Sequence, residues 1–259
     1  MQKQYQQFFF DFDSTIVATE TLDLLAKMKG IGPEVEKMTE ASMNGEVRLE
    51  DVFAKKMDMI APCRADIDQV ILYCKRNLVE GIAETFHALQ FLKKEVYIVT
   101  SNFYEIAGPV GQSLNIDKDH VISNFLYFDD QGEYTGISDD SMLCKSGGKA
   151  NAIEPHLCED KLAVFIGDAA SDLATKGTAD LFVGFGGVVA RNIVRENADI
   201  FFDSENMVDL LRLVLDKTEI GYLNFNGFKN LYRYLNTTAF LCPTFGPGGT
   251  QCGTQKNHK

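Results

Sequence analysis

Positive charge is the first shortage in this chain. Its 259 residues hold 25 lysines and arginines against 37 aspartates and glutamates, a formal net charge of -12. Such a surface repels phosphate backbones, which argues against a general nucleic-acid binder and, more weakly, against docking on anionic membranes. A locally positive pocket for a small anion is still compatible with it. Long apolar runs are missing too. No window reaches the roughly 18 apolar residues of a spanning helix. Met1–Gln7 is polar and the run Phe8–Phe10 is short, so neither a membrane span nor a secretory signal is expected. The six cysteines (63, 74, 144, 158, 242 and 252) include no CxxC pair and no histidine at metal spacing. They are expected as free, mostly buried thiols of a cytoplasmic protein, with Cys242 and Cys252 the one pair left open. Internal repeats are absent.

What is present is ordinary globular composition, 45% hydrophobic and 24% charged. The length suits one large α/β core with a smaller inserted unit, or two modest domains. Five short apolar runs each stop at a polar residue or a glycine. Phe8–Phe10 meets Asp11; Val96–Val99 meets Thr100, Ser101 and Asn102; Leu162–Ile166 meets Gly167 and Asp168; Leu181–Val183 meets Gly184; Ile200–Phe202 meets Asp203. Unalternated apolar runs predict strands covered on both faces, as in a parallel sheet. The spacers carry helical patterns at 82–92 and 149–157. The expected fold is therefore α/β, a doubly wound parallel-sheet (Rossmann-like) core, in which ligands gather beyond the carboxyl ends of strands.

Residues 16–80 break that rhythm. They are helix-like and rich in Met, Lys and Glu, with turns at Ser42–Gly45 and Ala61-Pro62. The predicted division is a core of 1–15 and 81–216, an inserted helical cap of 16–80, and a C-terminal extension of 217–259, partly disordered from Pro243 onward. A β-hairpin is expected over 125–136. The spacing of Tyr222, Phe225, Phe228, Leu231 and Leu235 predicts one short amphipathic helix.

D-x-D occurs at Asp11/Asp13, Asp66/Asp68 and Asp117/Asp119, so the motif alone says little. The latter two follow no apolar strand and read as solvated turns. Asp11 and Asp13 stand at the mouth of a buried strand, where two carboxylates repel and resist desolvation unless a cation or proton shares the site. A cap or Asx-turn built by Asp13 and Ser14 is the bland alternative. Asp168 and Asp172 repeat the arrangement at another strand end, with Asp172 as a plain helix cap on the bland side. Convergence of Asp11, Asp13 and Asp168 would make a hard-oxygen site suited to magnesium. Thr100 offers a hydroxyl and backbone N–H groups at a further strand end. Lys149, after Ser146-Gly147-Gly148, opens a helix near the same edge. Taken singly, each reads as commonplace.

In order and spacing, Asp11-Phe12-Asp13-Ser14-Thr15, Thr100, Lys149 and Gly167-Asp168-(x3)-Asp172 resemble the four signature motifs of the haloacid dehalogenase superfamily of phosphatases. Glu20, Met38-Thr39, Ser146–Lys149, Ile166–Asp168 and the stretch from Ala179 to Arg191 are similar to its phosphoserine phosphatase-like branch. The resemblance implies a magnesium-dependent phosphomonoester hydrolase in which Asp11 attacks phosphorus to give an aspartyl-phosphate. It implies Asp13 as acid and then base, and Thr100 and Lys149 as holders of the phosphoryl oxygens. Magnesium would sit on the Asp11 carboxylate, the Asp13 backbone carbonyl and Asp168, with Asp172 anchoring Lys149 or a metal-bound water.

Toward the rest of the substrate, the resemblance implies Glu20 for an ammonium, and Met43 and Ser171. Here the chain departs from the pattern. Lys56 stands where the family carries an arginine, a point charge in place of a bidentate fork, with Arg48 nearby as a substitute. Leu49 replaces an aromatic residue, Asn44 a glycine, and Ser101-Asn102 a Gly-Gly pair, which adds side chains where substrate would lie. Phosphoserine or a similar small phosphorylated metabolite is the expected substrate. The alternatives are another small phosphomonoester, with hydrolysis or phosphotransfer, and a catalytically silent binding module of the same fold. No nucleic-acid or membrane partner is expected, and the protein is expected as a monomer or a homodimer.

Overall fold

The computed structural model describes residues 4–138, 142–237 and 243–245. Phe8, Phe9 and Phe10 lie in β1 (Tyr5–Phe10), all with no exposed surface. Successive strand side chains point to opposite faces, so three buried phenylalanines in a row demand cover on both sides. Four helices follow: α1 (Thr21–Met28), α2 (Gly32–Met43), α3 (Leu49–Ile60) and α4 (Arg64–Arg76). The chain returns through α5 (Ile82–Phe91) to β2 (Glu95–Phe103), α6 (Tyr104–Ser113) and β3 (Val121–Asn124). A hairpin of β4 (Leu126–Phe128) and β5 (Tyr134–Ile137) leads to α7 (Gly148–Ile153), β6 (Leu162–Gly167), α8 (Ala170–Leu173), β7 (Leu181–Phe185), α9 (Asn192–Asn197) and β8 (Ile200–Phe202). The last elements are α10 (Leu210–Val214), α11 (Lys217–Phe225), α12 (Lys229–Thr237) and β9 (Thr244–Phe245).

The main sheet runs β3-β2-β1-β6-β7-β8-β9. Its first six strands are parallel, and β9 adds to β8 antiparallel. One face buries Phe8, Phe10, Val96, Ile98, Val164 and Ile166. The other buries Phe9, Tyr97, Val99, Phe165 and Phe182, with Phe9 stacked on Tyr97 at 4.7 Å. Strand β1 sits between β2 and β6, the point where strand order reverses and α/β sheets place their ligands. Register does the rest. Phe10 pairs with Ile98 on one side and Ile166 on the other, so Asp11, Thr100 and Asp168 leave the sheet at one edge.

Helices α1–α4 fill the interval between β1 and α5. Phe53 of α3 meets Phe103 at the end of β2, ring centroids 5.8 Å apart. Pro33 opens α2 at a position where a missing N–H costs nothing. Asp66 lies in the first turn of α4, not in a solvated turn. Its carboxylate accepts from the Cys63 N–H at 2.8 Å and pairs with Lys29 at 2.6 Å, where an acid complements the helix dipole. Asp117 precedes a single 3₁₀ turn (Lys118–His120), and Asp119 lies within it.

The apolar spacing from Tyr222 to Leu235 spans two helices, not one. Gly227 (φ +100°) turns the chain between α11 and α12, and the N–H groups of Asn226 and Phe228 both close on the Leu223 carbonyl. Leu223, Leu231 and Leu235 are buried, while Tyr222 and Phe225 face solvent. Phe228, in the turn between α11 and α12, packs on Phe91 of α5 at 5.1 Å, and Glu219 of α11 makes a buried ion pair with Lys94, between α5 and β2. Cys242 and Cys252 lie outside the described residues. Among those described, no helix is long and apolar enough to cross a membrane.

Cover on both faces makes each β-strand phenylalanine a core residue. Phe165→Ala is expected to lower unfolding free energy by about 3–5 kcal/mol in urea titrations with an unchanged m-value. A loss under ~1 kcal/mol would contradict that cover.

Candidate active site

Backbone bonding fixes the first acid. The Asp11 N–H donates to the Ile166 carbonyl at 2.8 Å, carrying the β1–β6 ladder one residue past the strand. The chain then folds back on itself, with the N–H groups of Ile16 and Val17 on the Phe12 carbonyl and Ser14 in the left-handed region (φ +54°). That turn holds Asp13 beside Asp11. The Asp13 carboxylate accepts from the Thr21 N–H (3.3 Å), the Thr21 hydroxyl (3.1 Å) and the Asn102 amide (3.0 Å).

Lys149 comes from the first turn of α7, reached through Gly147 in the left-handed region. Its buried ammonium lies 2.5 Å from Asp11 Oδ1 and 2.6 Å from Asp172 Oδ1. The other Asp172 oxygen accepts the Ala169 N–H at 2.9 Å. Helix cap and lysine anchor are thus one residue, using one oxygen for each. Gly167 is obligatory beneath it, because a Cβ there would collide with the Asp172 carboxylate. Asp168 accepts from the Thr15 hydroxyl (3.2 Å) on one oxygen and from Arg191 (2.6 Å) on the other. Arg191 reaches on to Glu20 at 3.3 Å, where the Ser14 hydroxyl also donates at 2.8 Å.

A cavity of 40 Å³ lies between the sheet edge and the helices. Asp11, Asp13, Thr100, Ser101, Asn102, Lys149 and Ser171 line one side. Glu20, Asp23, Thr39, Met43, Leu49, Phe53 and Lys56 line the other. Asp168 and Asp172 stand behind Asp11. Arg48 is not brought to the cavity. As the residue preceding α3, it turns its guanidinium onto the first-turn acids Asp51 (2.9 Å) and Glu50 (3.6 Å), with its side chain 68% exposed. Lys56, four-percent exposed on α3, donates to the Thr39 hydroxyl at 2.8 Å, and that hydroxyl bonds Asp23. Two contributors had no assigned role in the sequence. Arg191 ended a similar segment without chemistry of its own, and Asp23 was one acid among many. Only their distance to Glu20, Asp168 and Thr39 marks them.

Six carboxylates (Asp11, Asp13, Glu20, Asp23, Asp168 and Asp172) crowd around three cations (Lys56, Lys149 and Arg191). Burial, and next the charge of Asp172, pushes the Asp11 carboxyl up from 3.8 to about 7, with Lys149 pulling the other way. Burial and then Glu20 raise Asp13 well above its ordinary range. Burial raises Asp168 likewise, although Arg191 opposes it. Burial also disfavours the Lys149 charge, but Asp11 and Asp172 outweigh it and hold the ammonium protonated. Desolvation lowers Lys56, resisted by Asp23, Glu20 and Asp13.

One oxygen each from Asp11, Asp168 and Asp172 lie within 4.8 Å of one another, a group that could hold a metal ion. The donors are hard carboxylate oxygens, and the surplus negative charge is what a divalent cation would relieve. Asp168 and Asp172 each have both oxygens engaged already, by Thr15 and Arg191 and by Lys149 and the Ala169 N–H, so an ion there would share or displace those donors.

A family model for haloacid dehalogenase-like hydrolases matches residues 8–175. Phosphoserine phosphatase of Bos taurus is 33% identical over 206 residues, covering 78% of this chain and 90% of that protein. A substrate-bound phosphoserine phosphatase complex superposes with TM-score 0.72 at 26% identity, over 82% of this chain and all of the other. A phospho-aspartyl intermediate analogue of phosphoserine phosphatase gives TM-score 0.71 at 26% identity with the same coverage.

The raised Asp11 carboxyl fixes a sign. Between 3.8 and about 7 the folded protein holds a proton there that the unfolded chain releases, so this group's contribution to stability is lost as pH rises through that window. The melting temperature of chelator-treated protein is expected to fall from pH 4.5 to 7.5 more steeply in wild type than in Asp11→Asn. Equal slopes would count against the assignment.

Proposed function

This chain belongs to the haloacid dehalogenase-like hydrolases and is a phosphoric monoester hydrolase, and we propose that it dephosphorylates phosphoserine through an aspartyl-phosphate on Asp11. The observation that carries this is the buried Asp11–Lys149–Asp172 chain, with Asp13 turned back beside it. Lys149 occupies Asp11 Oδ1, which leaves Oδ2 for in-line attack on phosphorus. As that bond forms, the ester P–O bond breaks, and Asp13 gives a proton to the departing alkoxide. Asp13 then takes a proton from the water that cleaves the aspartyl-phosphate, releasing phosphate and restoring both acids. Lys149 and the Thr100 hydroxyl hold the transferring phosphoryl oxygens, and Asp172 orients Lys149. Asp11, Asp168 and the Asp13 backbone carbonyl would hold magnesium, which supplies positive charge between two anions that would otherwise repel.

The leaving group falls to the helical side. Glu20 and Asp23 suit an ammonium, and Lys56 suits a carboxylate. Met43, Leu49 and Phe53 give an apolar wall, and Ser101, Asn102 and Ser171 line the phosphate end. A 40 Å³ cavity has room for only a few waters. Helices α1–α4, in the 16–80 interval, would therefore act as a cap that opens for substrate and closes to exclude solvent. A cytoplasmic setting goes with free thiols at Cys63, Cys74 and Cys158.

Phosphate release with magnesium, measured across phosphoserine, phosphothreonine, phosphoethanolamine and sugar phosphates, tests the reading. Asp11→Asn is expected to lose at least ~10³-fold on every substrate. A variant as active as wild type would refute the nucleophile. Lys56→Ala is expected to cut kcat/KM for phosphoserine by roughly 10–100-fold while sparing phosphoethanolamine, which has no carboxylate. Equal loss on both would remove Lys56 from carboxylate recognition.

A further inference from the structure

Asn102 lies near the end of β2 with 3% of its surface exposed, and a buried amide must satisfy donors and acceptor alike. Its side-chain carbonyl accepts the Phe103 N–H at 2.9 Å. That bond settles the orientation of the amide, because a backbone N–H cannot accept, so the NH₂ group must face the other way. There it donates to Asp13 Oδ2 at 3.0 Å and meets the Thr21 hydroxyl, which itself donates to the same Oδ2 at 3.1 Å. Asp13 Oδ1 has only the long contact from the Thr21 N–H, 3.3 Å. The two oxygens of one carboxylate are therefore unlike: Oδ2 is saturated by fixed donors, and Oδ1 keeps spare capacity.

The backbone of Asn102 does a second task. Its N–H donates to the Thr100 hydroxyl oxygen at 3.0 Å, which turns the hydroxyl hydrogen outward. A single residue thus touches both the acid and the phosphoryl-oxygen donor, and it lines the same cavity.

We propose that Asn102 is a positioning residue that clamps Asp13 Oδ2, so that Oδ1 is the oxygen that carries the proton to the leaving group. This rests on the reading of Asp13 as general acid. In the step concerned, the Oδ1–H bond breaks as the alkoxide O–H bond forms, and the ester P–O electron pair stays with the leaving oxygen. A neutral amide suits the task, since it donates to the carboxylate yet cannot take the proton itself. The clamp matters only when the leaving oxygen needs a proton. Alkyl phosphates need one; p-nitrophenyl phosphate, which expels a stabilised phenolate, does not.

The test compares kcat/KM for phosphoserine and p-nitrophenyl phosphate, a quantity that covers the steps through P–O cleavage. Asn102→Ala is expected to lower the phosphoserine value roughly 10-fold or more and the p-nitrophenyl phosphate value less than about 3-fold. Asn102→Ser, whose hydroxyl can still serve the Phe103 N–H but is too short for Asp13, should give the same split if the alanine variant folds poorly. In an Asp13→Asn background, Asn102→Ala should add no further selectivity. Equal losses on both substrates, or no loss on either, would overturn the clamp. Should Asp13→Asn itself show no dependence on the leaving group, the general-acid reading falls first, and the two failures are distinguishable.

Discussion

A lysine buried between two aspartates is the constraint on which the rest of the site depends. The Lys149 ammonium sits within 2.6 Å of both Asp11 and Asp172, with all three side chains withdrawn from water. Ions so placed have no solvent to fall back on, and removal of one partner leaves an uncompensated charge worth several kcal/mol. The surroundings are built to hold them. The β1–β6 register sets Asp11, the glycine at 167 lets Asp172 pass close beneath the strand end, and Gly147 turns the chain into α7 so that Lys149 points inward. On the proposed mechanism the same lysine that balances these buried acids would also hold the phosphoryl oxygens.

Around that chain the charges do not balance. Six carboxylates stand against three cations, and burial, reinforced by neighbouring carboxylates, holds Asp11, Asp13 and Asp168 above their ordinary proton affinities. Positive charge brought into such a pocket would relieve the surplus of negative charge. Arg191 ties the two ends together, one nitrogen on Asp168 and the other on Glu20. Asp168 and Glu20 therefore share a cation, and neither is set independently of the other.

The helical side explains why substrate choice is harder to read than chemistry. Lys56 reaches the cavity with a single ammonium on the Thr39 hydroxyl and Asp23 one bond beyond. A flexible point charge recognises an anion without dictating its plane, unlike a guanidinium. Arg48, close in sequence, is held outside by its pairing with Asp51 and Glu50 in the first turn of α3.

The sequence by itself pointed to the parallel sheet, since unalternated runs such as Phe8–Phe10 and Leu162–Ile166, separated by helical spacers, read as strands covered on both faces. It also determined Asp11, Asp13, Thr100, Lys149, Asp168 and Asp172 as candidates, because each follows an apolar run or a glycine turn at an expected interval. Periodicity served less well where one glycine interrupts it: Gly227 splits the apolar stripe from Tyr222 to Leu235 into two helices, leaving Phe225 in solvent. Only the tertiary structure decided that Arg191 and Asp23 belong to the site, that Arg48 does not, and that Asn102 and Thr21 grip one oxygen of Asp13. Those facts depend on which distant side chains meet, over separations such as the 171 residues from Glu20 to Arg191. A local pattern reports which face a residue points to; it carries no information on what waits there. The Asp11–Asp13 pair was visible from the start, and the fold supplied the partners that make its two carboxylates unlike.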